Sequence, residues 1–171
     1  MHETLMQMGH YHMRLDAPDE ASVYYARAID AKPYDAQGRK AMGVALAQMG
    51  DWQASVEQHR WCLRIEPGSH DAAVALAWML STVPDDAVRD GEQAVQLAQA
   101  ACRQTGFRNA EYMDVLAAAY AEVGRFDEAQ AMAQRVLVSA TSGRTPAIAE
   151  RVERRLAGYR NGRPWREPLE Q

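Results

Sequence analysis

The chain has little of what covalent or metal chemistry requires. Its 171 residues include 2 cysteines, Cys62 and Cys102. At forty residues apart they make neither a disulfide framework nor a C-x-x-C metal site. No apolar run approaches the roughly 18 residues of a membrane span, and Met1-His2-Glu3 opens no charged n-region followed by an apolar stretch. A Ser-His-Asp order, a Gly-rich phosphate loop and H-E-x-x-H are all missing; Gly91-Glu92 and Gly106-Phe107 are isolated glycines at helix boundaries. Lysine is scarce, Lys32 and Lys40 standing against 17 arginines, a bias of GC-rich coding that points to a bacterial source.

What is present is ordinary for one globular domain: 47% hydrophobic and 25% charged residues, which excludes disorder and collagen. A chain of this length buries about 68–70% of its unfolded surface without staples. The net charge of −4 is uneven, because residues 1–143 carry 12 basic and 19 acidic groups whereas 144–171 carry 7 and 4. An acidic body is the wrong surface for a phosphate backbone, so no nucleic-acid partner is expected. The reading is of a soluble bacterial chain, with cytoplasm and periplasm both open because an upstream signal or membrane segment could lie outside this sequence.

One period organises the rest. Gly9, Gly43 and Ala77 stand 34 residues apart in succession, as do Ala21 and Ser55, and Pro33 and Pro67. Each unit reads as a helix, a short turn with Gly or Asp, a second helix and a closing Pro. In the first unit these are Leu5–Leu15, a turn at Asp16–Asp19, Glu20–Asp30 and Pro33. Such a pair cannot bury its apolar stripe alone and must stack on neighbours.

These residues resemble the tetratricopeptide repeat (TPR) family, whose pattern is W-x2-L-G-x2-Y, A-x3-F, then P. The first unit offers Leu5-x2-Met8-Gly9-x2-His12, Ala21-x3-Tyr25 and Pro33; the second offers Arg39-x2-Met42-Gly43-x2-Leu46, Ser55-x3-His59 and Pro67. Degenerate third and fourth units follow at Leu76-Ala77 with Ala94-x3-Ala98, and at Leu116-Ala117 with Ala129-x3-Ala133. The small residue recurs because helices approach closely there. The half from Leu76 to Trp165 also looks like the closing segment of many bacterial TPR proteins. The resemblance implies an all-α, right-handed solenoid of about four helix pairs in a single domain 1–171. Its units span about 2–35, 36–69, 70–109 and 110–143, with a capping helix and tail at 144–171.

Departures from the pattern carry further expectations. The third unit holds a five-residue insertion, so Ser81–Ala87 should be a surface loop with N-capping Asp residues leading into a slightly longer second helix. Ser139–Thr145 reads as a loop. A capping helix follows from Pro146 to about Tyr159, with Ile148, Val152, Leu156 and Tyr159 inward and Arg151, Glu153, Arg154 and Arg155 on a polar outer face. Trp165 is expected to pack back from the extended tail, because leaving it in water would forgo about 1.5–3 kcal/mol. At the other end only Thr4 offers an N-cap, and the uncovered apolar surface of Met6, Met8 and Met13 implies an excised fragment or a self-associating end.

The family resemblance places function on the first helix of each unit, which lines a concave groove that takes peptides or partner helices. Its candidate lining is Met6, His10 and Met13; Lys40, Val44 and Ala47; Asp71, Val74 and Trp78; and Asp114, Ala118 and Glu122. Trp78 is the sharpest anchor. A TPR subgroup grips a C-terminal carboxylate with Lys, Asn and Arg, but Met6, His10, Ala41, Asp71 and Ala75 stand at those places. A neutral or basic-amphipathic segment therefore suits the groove better than an acidic tail. His10 and His12 face apart on their helix, His59 reads as a core residue and His70 flanks a helix start, so no metal is expected. Cys62 and Cys102 read as small core hydrophobes. The tail's arginines read as a solvated face. The expectation is a non-catalytic protein-binding module with no cofactor. The alternative is an assembly or multimerisation segment of a larger bacterial envelope, secretion or glycan-related protein acting through its N-terminal end.

Overall fold

The computed structural model describes residues 1–143 and 146–167, with 141–143 described in backbone alone. Among the described residues there are nine α-helices and no strand: α1 (His2–Arg14), α2 (Pro18–Ala31), α3 (Ala36–Gln48), α4 (Trp52–Ile65), α5 (His70–Thr82), α6 (Gly91–Gln104), α7 (Ala110–Glu122), α8 (Phe126–Gly143) and α9 (Pro146–Arg160). The chain divides into two compact units, Met1–Ala72 and Ala73–Gln171. In the first, α1 packs on α2, α2 on α3 and α3 on α4; in the second, α6 packs on α7, α7 on α8 and α8 on α9.

The small-residue period has a direct physical cause. A Cβ added to Gly9 would lie 2.3 Å from Cε1 of Tyr25, and one added to Gly43 would lie 2.3 Å from Cε1 of His59. Both rings are almost fully buried, and each leans into the space its partner glycine leaves open. Around Tyr25 lies a cluster of Met6, Ala21, Ala28 and Ala45, with Leu5, Met13, Ala41 and Met42 packed on it. Turns within the first, second and fourth pairs share one geometry. Asp16, Gly50 and Gly124 adopt φ of 57°, 76° and 77°, and the next residue donates its N–H to the carbonyl five residues back, at His12, Leu46 and Tyr120. Asp35, Asp51, Asp90 and Asn109 cap the helices that follow them through side-chain oxygens.

Several sequence expectations need correction. Helix α1 begins at His2 with Met1 at the N-cap and no side-chain cap, so Thr4 lies inside the helix. Helix α8 continues through the expected loop to Gly143, because Val136 and Ala140 keep one buried face and no Pro intervenes before Pro146; Arg144 and Thr145 lie outside the described residues. The insertion is only partly a surface loop. Ser81 and Thr82 end α5 with their hydroxyls bonded to the Ala77 and Trp78 carbonyls, Val83 and Val88 are buried, and only Asp85–Ala87 is fully exposed. The N-cap of α6 is Asp90, and at 14 residues α6 is no longer than α2 or α4.

Candidate functional site

In the first unit, α1 and α3 carry the expected lining. Met6 is buried within the core cluster and so offers no surface, while Met13 is half-buried against that cluster. His10 is exposed with its ring edge-on to Tyr25 at 5.6 Å. On α3 the half-buried Lys40 and Ala47 flank Val44, which is 44% exposed, whereas Gly43, Ala45 and Leu46 are buried. An apolar side chain thus stands open beside the buried stripe of its helix. Asp71 is exposed at the start of α5.

The second unit is built around charge. Helix α7 is buried from Met113 to Ala121, Ala118 included, so Asp114 has no route to water. Arg155 of α9 supplies its partner through Nη1, and Arg151 stands 3.8 Å away. Burial pushes the Asp114 carboxyl up, and Arg155 then Arg151 pull it back. The Arg155 guanidinium also lies 4.3 Å from the Trp78 ring and 5.4 Å from the Trp165 ring. Trp78 and Val74 are half-buried. Glu122 is held by Arg89 at 2.9 Å and by Arg166 at 2.6 Å. Arg89 in turn donates to the carbonyls of Val83 and Pro84 and to Asp86, which ties the insertion to α7.

The acidic side chains Asp114 and Glu122, expected to line this surface, are therefore neutralised by arginines, among them one that the charge pattern assigns to water. Arg155 is 6% exposed and does not belong to the polar outer face of α9. Its position was legible, since it lies three residues from Val152 and four from Tyr159, on the buried stripe. Trp165 does pack back, half-buried, as expected. Sequence reasoning also passed over Trp61 on α4, 38% exposed between the guanidinium groups of Arg39 and Arg64 at 4.8 and 4.9 Å.

Histidines and cysteines take structural places. His2 meets Asp35 at 2.9 Å, His12 stacks on Tyr24, and His59 Nδ1 is 2.9 Å from the Ser55 carbonyl. His70 is the first residue of α5. Cys62 and Cys102 are free and buried, and burial pushes the Cys102 thiol up to about 11, so it holds its proton at neutral pH.

Against known proteins, the profile of the tetratricopeptide repeat family matches residues 109–141, the α7–α8 pair. The structure of TTC0263, a thermophilic TPR protein in Thermus thermophilus, is 19% identical with a TM-score of 0.71, covering 95% of this chain and 86% of that one. The chain has the fold of tetratricopeptide-repeat proteins, and its α7–α8 pair matches the repeat's profile. The MamA structure of residues 41 to the end from Desulfovibrio magneticus RS-1 gives a TM-score of 0.70 at 15% identity over 94% of this chain and 93% of that one. Another MamA crystal structure gives 0.71 at 17% identity over 83% and 80%. No curated protein sequence matches. At these identities the likeness establishes the all-helical TPR solenoid. TPR scaffolds generally mediate protein–protein interaction and are generally non-enzymatic. None of the described helices is long and apolar enough to cross a membrane.

Proposed function

We propose that this TPR protein is a non-catalytic binding module that takes a peptide or a partner helix on its first-helix surface. Val44 carries the reading: a 44%-exposed apolar side chain on a first helix, beside Lys40 and Ala47, gives a ligand apolar area to cover. Solenoid affinity comes from extended complementarity, so no residue is indispensable in the way a catalytic base is. Peptides selected from a random library against the intact chain test it. Affinity that falls in Val44→Asp supports the reading, and affinity indifferent to it refutes it.

A second reading rests on α1. Met8, Tyr11 and Leu15 are 38%, 48% and 57% exposed at spacings of three and four, one stripe running along α1 to its C-cap. One period later, Met42 and Ala45 at the places of Met8 and Tyr11 pack into the Tyr25 cluster. The α1 stripe thus has the character of a stacking face, which fits self-association or an assembly role through the N-terminal end. Met6 and Met13 contribute less than their sequence suggested, because they belong to the cluster beneath. Light scattering after size exclusion, across a concentration series, is expected to show a dimer that Met8→Glu with Tyr11→Lys converts to monomer. A monomer at every concentration removes this reading.

A further inference from the structure

Beyond α9 the chain turns at Gly162 and runs without helix from Arg163 to Glu167. This segment lies on the first-helix surface of the second unit. The Glu167 N–H donates to the Thr82 carbonyl at 2.8 Å, a backbone contact with the last turn of α5. Arg166 Nη1 reaches Glu122 at 2.6 Å and donates to the Ser81 carbonyl at 3.3 Å. Trp165 faces the Arg155 guanidinium, which also lies over Trp78. Glu122, met directly by Arg166, and Trp78, reached through Arg155, are residues that the repeat register assigns to ligand binding.

We propose that Arg163–Glu167 is an internal occupant of a docking surface, and that the partner is an extended peptide with an aromatic residue followed directly by arginine. The inference deepens the peptide-binding reading and rests on it. The chemistry of the surface selects this partner. With the segment lifted away, the carbonyls of Ser81 and Thr82 at the C-terminal end of α5 lose their tail donors, and helix carbonyls there carry partial negative charge. Glu122 keeps Arg89 and loses its second cation. The Trp78–Arg155 stack presents a planar cationic face suited to an aromatic ring. Donors, a guanidinium and an aromatic face are therefore what the surface recognises; an acidic peptide would meet Glu122 and the carbonyls. Arg166 is 36% exposed, and an ion pair open to solvent to that degree is weak, so a partner in excess can displace it.

The test uses a labelled peptide with the sequence of residues 161–167, blocked at both ends, and the full chain in two forms. Fluorescence anisotropy is expected to show at least tenfold tighter binding to Trp165→Ala/Arg166→Ala than to the intact protein. A peptide with alanine in place of its second arginine should lose at least tenfold. Equal affinity for both forms, or no binding to a double variant that melts like the intact chain, overturns the proposal. Should the double variant unfold, hydrogen exchange on the intact chain decides instead. Saturating peptide is expected to lower protection of the Glu167 amide at least tenfold, and unchanged protection overturns the proposal. Library-selected peptides that lose affinity in Val44→Asp while Glu167 stays protected would remove this proposal and leave the peptide-binding reading standing. Failure of every peptide to bind removes both.

Discussion

At the residue scale, glycine and ring vary together along the repeat. Gly9 stands with Tyr25 and Gly43 with His59, whereas the third and fourth units place Ala77 with Ala98 and Ala117 with Ala133. By that register the methyl group is expected where the second helix brings an alanine, and the approach of Tyr25 to Gly9 and of His59 to Gly43 shows why a ring excludes it. Gly43→Ala is expected to destabilise the protein by about 1–3 kcal/mol in urea titration, despite alanine's better helix propensity. Combined with His59→Ala, its cost should be less than additive, since the second change removes the ring that the methyl meets. His59 also ties stability to pH. Burial holds its imidazole below the ordinary 6.5, with Lys40 adding to the effect and the Ser55 carbonyl opposing it. The unfolded chain binds a proton at 6.5 that the folded chain refuses. Stability from this group is thus complete above about 6.5 and lost as pH falls below it, by up to about 1.4 kcal/mol per pH unit until the folded pKa is passed. His59→Tyr, which copies Tyr25, should flatten the fall in melting temperature between about pH 7.5 and about pH 5. The spacing of small residues made these packing positions readable; the identity of the ring that decides glycine over alanine required the pairing of helices.

At the scale of elements, α7 and α9 are joined by one buried ion pair. Asp114 and Arg155 are 3% and 6% exposed, and no other acidic partner of Arg155 is seen among the described residues. Asp114→Ala should cost about 3–5 kcal/mol by leaving a buried guanidinium unpaired, whereas Asp114→Leu with Arg155→Met should recover most of that loss. Chemical denaturation of the three variants measures both. The sequence hid this pair for a physical reason: Arg155 sits in a run of charges at Arg151, Glu153 and Arg154, and charge outweighed spacing in assigning it to water. The buried start of the insertion was equally hidden. Ser81 and Thr82 are covered in part by Arg166 and Glu167, some 85 residues along the chain, and no local pattern signals such a partner. Helix α9 itself was legible because Ile148, Val152, Leu156 and Tyr159 hold a helical period beginning at a proline.

At the scale of the molecule, helix count and order followed from the 34-residue period, since each pair needs its neighbours to bury its stripe. What the period does not carry is which exposed residues bind. Val44, Trp61 and the α1 stripe are all apolar and open, and only the repeat register separates the first helices from the second. The claim that binding belongs to the first helices is tested most directly by the affinity of a library-selected peptide for the intact chain, for Val44→Asp on α3 and for Val23→Asp on α2, where Val23 is 57% exposed. Val44→Asp is expected to lose at least tenfold and Val23→Asp to change less than twofold, roughly 1.4 kcal/mol against 0.4. Equal losses in both variants, or a loss confined to Val23→Asp, would contradict that claim.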